Sequence, residues 1–412
     1  MNKDVVNVWG QVVFCFLCAS VALVGIGRVE IPVLGLRFSS WSVSRTAFFF
    51  WLAWKLWVRA QQGRWEWNHA SVSIPLFLFV GWVTASLLPD IKPVGDYRYF
   101  IFGFAHYLMV ADVFRDERRQ TLLYYLLGIT PGFLLFRGIL SDPSVLNLSL
   151  TSRFAYPLDH ANIAGHLFSM NIPLCLAVVL HSDRWIRSLA GFSVLCQFSA
   201  LIFTFSRNAW IACSAALLSG CVREKRLRTF VSVLAILGLT VLGVSSEFRE
   251  RVWSLTDAIE DPRVVWRIEV MTMAISLGMD SPFLGNGYGR DHLRAALKEK
   301  YPEFTQREFV GHSHSLYTEL ICGVGAFGLA IFLWLLASAC IYLLQQMATQ
   351  GPISNPEKYT YIGLLGSLIA FIVGGLNDVP LYHHETRIFF FTLLGLIHLR
   401  LGSQRAIHRQ TV

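Results

Sequence analysis

One short stretch of the chain joins a histidine to the start of an apolar run. The segment 311–317 reads Gly-His-Ser-His-Ser-Leu-Tyr, and about 30 mostly apolar residues follow, enough to cross a bilayer with some tilt. This order predicts that His314 lies in the first turn of a membrane helix, at the water boundary. The positive end of a helix lowers an imidazole pKa there, so His314 is a candidate general base. A histidine that only caps the helix is the alternative.

Two glycines further along this run bear on His314. At ~100° per residue, Gly325 and Gly328 fall within ~40° of His314 around a helix. Glycines on that face would let a neighbouring helix approach closely beneath the imidazole. His312 and Ser315 flank His314 and are expected to support it.

Three arginines lie at the ends of apolar runs. Arg207, in Thr-Phe-Ser-Arg-Asn-Ala-Trp, has almost no loop around it, and a charge at that depth marks a functional residue by default. A snorkelling interfacial arginine is the alternative. Arg267 lies on an amphipathic segment, 264–275, that is apolar enough to rest on the membrane surface. Arg153 precedes the sixth apolar run. Such guanidinium groups bind phosphate oxygens through paired donors.

A turn-rich segment follows Arg267. Tyr288 belongs to the run Pro-Phe-Leu-Gly-Asn-Gly-Tyr-Gly, whose glycines allow tight turns and close backbone approach. Arg290 opens a charged helical stretch, 290–300, which we interpret mainly as a solvated face. No strand precedes the glycines, so they do not predict a dinucleotide site.

Two further polar patches, 159–162 and 377–387, are expected on the same side, and the second contains Arg387. His383 and His384 are adjacent rather than four residues apart, which favours hydrogen bonding over metal binding. The eight cysteines lie in or beside apolar runs. We interpret them as packing residues rather than disulfides or zinc ligands. The sequence therefore predicts no metal and no cofactor.

Composition defines the class of protein. Of the 412 residues, 54% are hydrophobic and 15% charged, which is too apolar for a soluble domain. The net charge of +8 is spread between apolar runs rather than gathered on one face, a distribution that argues against nucleic-acid binding. The fold class predicted is all-α, as a polytopic integral membrane protein.

Hydropathy predicts twelve transmembrane helices. The chain divides into 1–245 with nine spans, a long outward-facing helical loop at 246–313, and 314–412 with three spans and a tail. Seventeen lysines and arginines fall in inner segments and nine in short outer ones, which places both termini in the cytoplasm. In a bacterial inner membrane the long loop and His314 would face the periplasm. The spans are roughly 8–27, 41–58, 70–88, 97–114, 121–140, 161–181, 186–205, 208–222, 229–245, 314–343, 359–377 and 386–400.

The spacing around His314 resembles a known signature. His314-Ser315, nine residues, and then Gly325-x-x-Gly328 is similar to the motif of the O-antigen ligase family. That family belongs to a wider group with O-antigen polymerases and bacterial O-oligosaccharyltransferases. The resemblance covers roughly residues 150–400.

Two arginines extend the resemblance, and one position departs from it. Arg207 after a serine and Arg267 ahead of the glycine-rich turn match two other positions on which the family relies. The family often has a carboxylate just before the first signature glycine. Gly323 and Val324 stand there in this chain, and Glu319 lies earlier.

The resemblance implies a metal-independent, inverting glycosyltransferase of lipopolysaccharide biosynthesis. It would move O-antigen glycan from undecaprenyl pyrophosphate onto lipid A–core oligosaccharide at the periplasmic face. His314 would be the base, and Arg207, Arg267 and Arg153 would bind the pyrophosphate. The supporting residues would be His312, Ser315, Gly325, Gly328, Tyr288 and Arg387.

Three other functions share part of this pattern. An O-antigen polymerase has the same topology and chemistry and differs in its acceptor. An O-oligosaccharyltransferase is expected to carry a larger outward C-terminal domain. A transporter of lipid-linked sugars would place polar groups along a path near mid-membrane, whereas the polar groups here gather on one predicted face.

Overall fold

The computed structural model describes residues 3–26, 29–31, 36–62, 72–90, 94–141, 143–144, 153–155, 158, 160–222, 224–253, 262–307, 310–349 and 356–410. Helices dominate these residues. They are α1 (Lys3–Ile26), α2 (Ser40–Gln62), α3 (Ser73–Ala85), α4 (Gly95–Val113), α5 (Glu117–Ile129), α6 (Phe133–Ser141), α7 (Ala161–His181), α8 (Arg184–Phe203), α9 (Arg207–Cys221), α10 (Lys225–Val244), α11 (Ser246–Trp253), α12 (Pro262–Asp280), α13 (Arg290–Lys300), α14 (Pro302–Arg307), α15 (Leu316–Thr349), α16 (Pro356–Gly374) and α17 (His384–Gln410).

The chain is a helical membrane protein, as its composition predicts. Each of the twelve predicted segments overlaps a helix, and within the described residues five helical segments are long and apolar enough to cross a bilayer. The twelve-span count and the orientation of the termini stay predictions. The five segments are Glu117–Ser141, Ala161–His181, Arg184–Phe203, Lys225–Val244 and Leu316–Ala348.

A small hairpin adds strands to the predicted all-α class. Strands β1 (Val29–Ile31) and β2 (Leu36–Phe38) pair antiparallel between α1 and α2, with Val29 opposite Phe38. Three-residue strands carry too few alternating apolar positions to stand out in a sequence. The hairpin leaves the helical character of the fold unchanged.

Helix α7 forms the centre of the bundle. The apolar stretch of this helix is entirely buried inside the protein, and α8, α9 and α16 pack around it. Pro173 lies inside α7 and has no N–H to complete the helical ladder, a defect that neighbouring helices can tolerate in lipid. Of the eight cysteines, which are all free thiols, Cys175, Cys196, Cys213 and Cys322 are buried.

Helix α15 differs from the sequence expectation in two ways. It begins at Leu316, so His314 is not in its first turn, and His314 has φ +62° in the left-handed region. The helix is also broken at Gly325, with φ +72° and ψ +174°. The placement of His314, Gly325 and Gly328 on one helical face was therefore wrong, because a regular 3.6-residue period does not run through this segment.

The segment between α10 and α15 contains the amphipathic helix expected around Arg267. Helix α12 begins at Pro262 and contains the predicted segment 264–275, and proline is suited to a first turn. The glycine-rich segment after it is a tight turn, since Gly285, Gly287 and Gly289 all have positive φ. Only glycine adopts such angles without strain.

Candidate functional site

The break between α8 and α9 positions Arg207. Phe205 has φ +48° in the left-handed region, and it reverses the chain so that α9 begins at Arg207. The Thr204 hydroxyl accepts from the Ser206 N–H at 3.2 Å and donates to the Leu201 carbonyl at 2.6 Å. These bonds fix the turn in a buried setting.

Arg153 is tied to the same break from the other side. Its Nε donates to the Thr204 carbonyl at 2.7 Å, and its Nη2 donates to Asn162 Oδ1 at 2.9 Å. Burial and then repulsion from Arg267 lower the pKa of Arg153 below its usual range, although an arginine remains protonated. A cation held where cations repel indicates a site that favours anions.

Helix α11 brings a further arginine to this point. The Phe248 ring lies 4.7 Å from Trp210 and 6.2 Å from Phe205, measured between ring centroids. This packing folds α11 back against the α8–α9 break. Arg251 then donates from Nε to the Phe205 carbonyl at 3.1 Å.

These arginines surround one polar cavity, which we call the arginine cavity. Its volume of about 160 Å³ is far larger than the ~10–15 Å³ that one water requires. No carboxylate is among the described residues that line it, so the cavity is strongly electropositive. The lining residues are Arg153, His160, Asn162, Ser206, Arg207, Asn208, Arg251, Val264, Arg267 and Asn377.

His314 lies beside the arginine cavity in a tightly bonded loop. Its ring packs edge-on against Trp266, the residue before Arg267 on α12, with centroids 5.1 Å apart. The His314 N–H donates to His312 Nδ1 at 3.0 Å, and the two imidazole centroids are 4.2 Å apart. Ser315 is buried, and its hydroxyl donates to the Gly375 carbonyl at 3.4 Å.

The His314 imidazole is neutral at ordinary pH. Burial first, and then repulsion from His312 and Arg267, lower its pKa from 6.5 to about 3, against an opposing effect of Asp378. The cause expected from the sequence was the positive end of the helix. The structure replaces that cause with burial, because α15 begins two residues after His314.

Glu319 holds the loop that carries His314. Its side chain is buried and accepts from the Ser313 N–H at 2.7 Å and from the Tyr382 hydroxyl at 2.7 Å. It lies in the first turn of α15, where a carboxylate also interacts favourably with the helix dipole. Both oxygens of Glu319 therefore join the residue before His314 to the segment between α16 and α17.

Asp378 anchors the other side of the loop. Its carbonyl accepts from the Leu316 N–H at 2.9 Å, and its carboxylate lies 3.2 Å from His166 Nε2 on α7. Burial alone would raise the pKa of Asp378. The hydrogen bond from His166 and the charges of His383 and His312 outweigh burial and hold that pKa well below its ordinary value.

Tyr288 and Arg387 lie outside the arginine cavity. Arg387 is buried and donates to the Tyr382 carbonyl at 3.0 Å, and the Tyr288 ring packs against Tyr382 with centroids 5.9 Å apart. Both therefore contact the tyrosine that binds Glu319. Among the described residues, neither the Tyr288 hydroxyl nor Arg387 Nε has a hydrogen-bond partner.

Arg290, which the sequence assigns mainly to a solvated face, is partly exposed but also binds a buried carboxylate. Its guanidinium makes a bidentate ion pair with the buried carboxylate of Asp96 on α4, with contacts from 2.8 to 3.2 Å. The same guanidinium lies over the Tyr382 ring, 5.3 Å from its centroid. The sequence gives no sign of this pairing, because almost two hundred positions separate the partners.

The two signature glycines make close contacts rather than lying under His314. A Cβ at Gly325 would come within 2.5 Å of the Pro282 carbonyl oxygen, and one at Gly328 would meet the Trp82 ring at 2.7 Å. Gly325 therefore seats the turn after α12 against α15. Its positive φ independently requires glycine.

Sequence reasoning found three of the four cavity arginines and missed Arg251. Arg207 was identified because its charge lies between two apolar runs. Arg251 belongs to a polar segment, where a basic residue is common and does not by itself indicate a site. Of the predicted 159–162 patch, His160 and Asn162 line the cavity, and Asp159 lies outside the described residues. In the described part of the chain, no group of three or more His, Cys, Asp or Glu side chains is arranged to hold a metal ion.

Fold and site together define a helical membrane protein with an electropositive cavity beside a neutral histidine. Residues 192–333 match a family model described as O-antigen ligase. This match covers 142 of the 412 residues and confirms the resemblance to that family seen in the sequence. A comparison with curated proteins gave no match. The matched segment contains Arg207, Arg251, Arg267 and His314, while Arg153 and Arg387 lie outside it.

The hydrogen bonds of Glu319 lead to a test of its positioning role. We expect Glu319→Ala to lower the rate of glycan transfer, because two buried donors lose their acceptor at ~1–3 kcal/mol each. Glu319→Gln should keep most of the activity, since an amide can accept from Ser313 N–H and donate to the Tyr382 oxygen. The measurements are turnover and donor affinity in proteoliposomes.

The control for this test is Glu303→Ala, because Glu303 is exposed on α14. A positioning role requires that donor affinity stays near wild type in both Glu319 variants. Equal losses of turnover in the Gln and Ala variants would show that the charge of Glu319, and not its bonding geometry, is what matters.

Proposed function

We propose that this protein is an O-antigen ligase. It would transfer a glycan from undecaprenyl pyrophosphate to the lipid A–core oligosaccharide, with inversion at the anomeric carbon and without a metal ion. The observation that carries the proposal is the arginine cavity, with four guanidinium groups and no described carboxylate, beside His314. The match of residues 192–333 to the O-antigen ligase family model supports the same class of reaction.

The arginine cavity suits the donor's diphosphate. Arg153, Arg207, Arg251 and Arg267 present planar donors that can bind phosphate oxygens in pairs. When the sugar leaves, negative charge grows on the departing pyrophosphate. Fixed cations already held in a partly buried cavity stabilise that charge without reorganising.

His314 is proposed as the general base. An acceptor hydroxyl would give its proton to the imidazole while its oxygen bonds to the anomeric carbon and the bond from that carbon to the phosphate oxygen breaks. The leaving pyrophosphate takes the bonding electrons, and the proton later passes from His314 to water. A base so placed contributes typically ~10²–10⁴ in rate.

The low pKa of His314 has a role in this scheme. In the free protein, burial first, and then repulsion from His312 and Arg267, lower the His314 pKa to about 3, so the imidazole is unprotonated when the donor arrives. A bound diphosphate would offset the charge of Arg267 and so raise the His314 pKa by that contribution, while burial continues to lower it. A base is most effective when its pKa lies near the working pH.

A lipopolysaccharide gel tests the proposed function. In a cell that lacks this protein, we expect every band of the O-antigen ladder to be lost while free lipid A–core remains. A single-repeat band in place of the ladder would instead identify an O-antigen polymerase. An unchanged ladder would contradict both functions.

The assignment of His314 as the base has its own test. We expect His314→Ala to abolish transfer while the protein still inserts and binds the donor. His312→Ala should keep measurable activity, because His312 supports the His314 loop through a hydrogen bond and a ring contact but is not itself the base. Transfer should also continue in a strong chelator. An active His314→Ala variant, together with a wild type that the chelator inactivates, would replace the base with a metal-dependent mechanism.

The arginines are tested by a change that keeps their charge. Arg207→Lys or Arg267→Lys should weaken donor binding by about tenfold or more, because one ammonium cannot make paired contacts. The matched control is Arg98→Lys, since Arg98 is exposed on α4 outside the cavity. Wild-type affinity in both cavity variants would mean that positive charge alone suffices.

A further inference from the structure

Helix α12 exposes an apolar stripe. Val265, Ile268, Ile275 and Met279 recur at intervals of three, seven and four residues, and each is between 42% and 62% exposed. These intervals place the four side chains on one face. Phe283, just beyond the helix, is 71% exposed and extends the stripe.

The opposite face of α12 packs against the protein. Val270, Ala274 and Leu277 are fully or almost fully buried in a cluster that includes Leu293 of α13 and Cys322 of α15. The helix therefore has two apolar faces, and protein covers one of them. A helix whose outer face is in contact with water normally carries polar residues on that face.

Contacts along α15 show how α12 lies. Near the start of α12, Trp266 meets His314. Near its end, a Cβ at Gly278 would lie 2.5 Å from the Ile321 carbonyl oxygen. Beyond the end, the Phe327 N–H donates to the Pro282 carbonyl at 3.4 Å. Helix α12 therefore runs alongside the first part of α15, in the same direction.

This path carries α12 into the membrane. Helix α15 belongs to a candidate span that begins at Leu316. At ~1.5 Å per residue, the regular part of α15 from Leu316 to Val324 extends about 12 Å, well over a third of the ~30 Å hydrocarbon core, and Phe327 lies just beyond the break at Gly325. Phe283 and Pro282 share that depth with Phe327, because they contact the same part of α15.

The stripe is continuous with the surface of membrane helices. Phe327 is 50% exposed, and its ring lies 4.5 Å from that of Trp82 on α3. Trp82 Nε1 donates to the carbonyls of Phe283 and Val324 at 3.2 and 3.0 Å. The end of the stripe therefore lies against α3 and α15.

We propose that α12 is inserted into the leaflet in which α15 begins, and that the acyl chains of bilayer lipids cover the stripe. The stripe itself carries no charge. Glu269 and Asp280 lie beside it, and Lys300 pairs with Asp280. The sequence predicted a helix resting on the membrane surface, whereas the packing along α15 carries the far end of α12 below that surface.

Photocrosslinking in vesicles tests this surface. The full-length protein would carry a diazirine amino acid at position Ile275 or Met279, in vesicles of phosphatidylethanolamine and phosphatidylglycerol. The control position is Glu299, which is exposed on the charged helix α13 of the same segment. We expect lipid adducts at Ile275 and Met279 in several-fold higher yield than at Glu299, as measured by mass spectrometry.

Two results would overturn the proposal. Equal or absent lipid adducts at Ile275 and Met279 would mean that water covers the stripe. Adducts between two chains would assign it to a second copy of the protein. Val265 provides a third labelling position if one substitution prevents folding, and the readout needs no transfer activity, so it is independent of the proposed function.

Discussion

Four guanidinium groups around one cavity repel each other, and the surrounding structure has to hold them in place. Among the described contacts, two of the four are held by neutral acceptors. Arg153 and Arg251 donate to the carbonyls of Thr204 and Phe205 at the α8–α9 break. A carboxylate in the cavity would have relieved the repulsion, but it would also have competed with an anionic ligand. The turn before α9 is therefore the element on which the cavity depends.

The arginine cavity and the His314 loop each depend on a residue whose backbone conformation is strained. Phe205 and His314 are the non-glycine residues of the described chain with positive φ, a conformation that costs on the order of 1–3 kcal/mol. At Phe205 the strain is offset by packing with Phe248 and by the bonds of Thr204. At His314 it is offset by the bonds of Ser313, Glu319 and Leu316. Strain of this kind persists where the surroundings leave the backbone no alternative.

The sequence predicts the helices and most of the arginine cavity, but not the details of the His314 loop. Apolar runs and the misplaced charge at Arg207 depend on composition over a few residues, which a sequence displays directly. The break at Gly325 depends on the turn after α12 pressing against α15. Arg251 and Glu319 depend on contacts with Phe205 and Tyr382 that form only once distant segments meet. Local pattern fixes elements, whereas long-range packing decides which side chains share a site.

The ion pair between Arg290 and Asp96 limits how this chain can be recombined. Arg290 lies inside the segment that matches the family model, and Asp96 lies nearly a hundred residues before it. The Asp96 carboxylate is buried, and a buried charge that loses its partner destabilises a fold by several kcal/mol. Residues 192–333 are therefore not a unit that can be exchanged between relatives independently of the rest of the chain. Transplanting them between relatives would succeed only where position 96 and position 290 are inherited together.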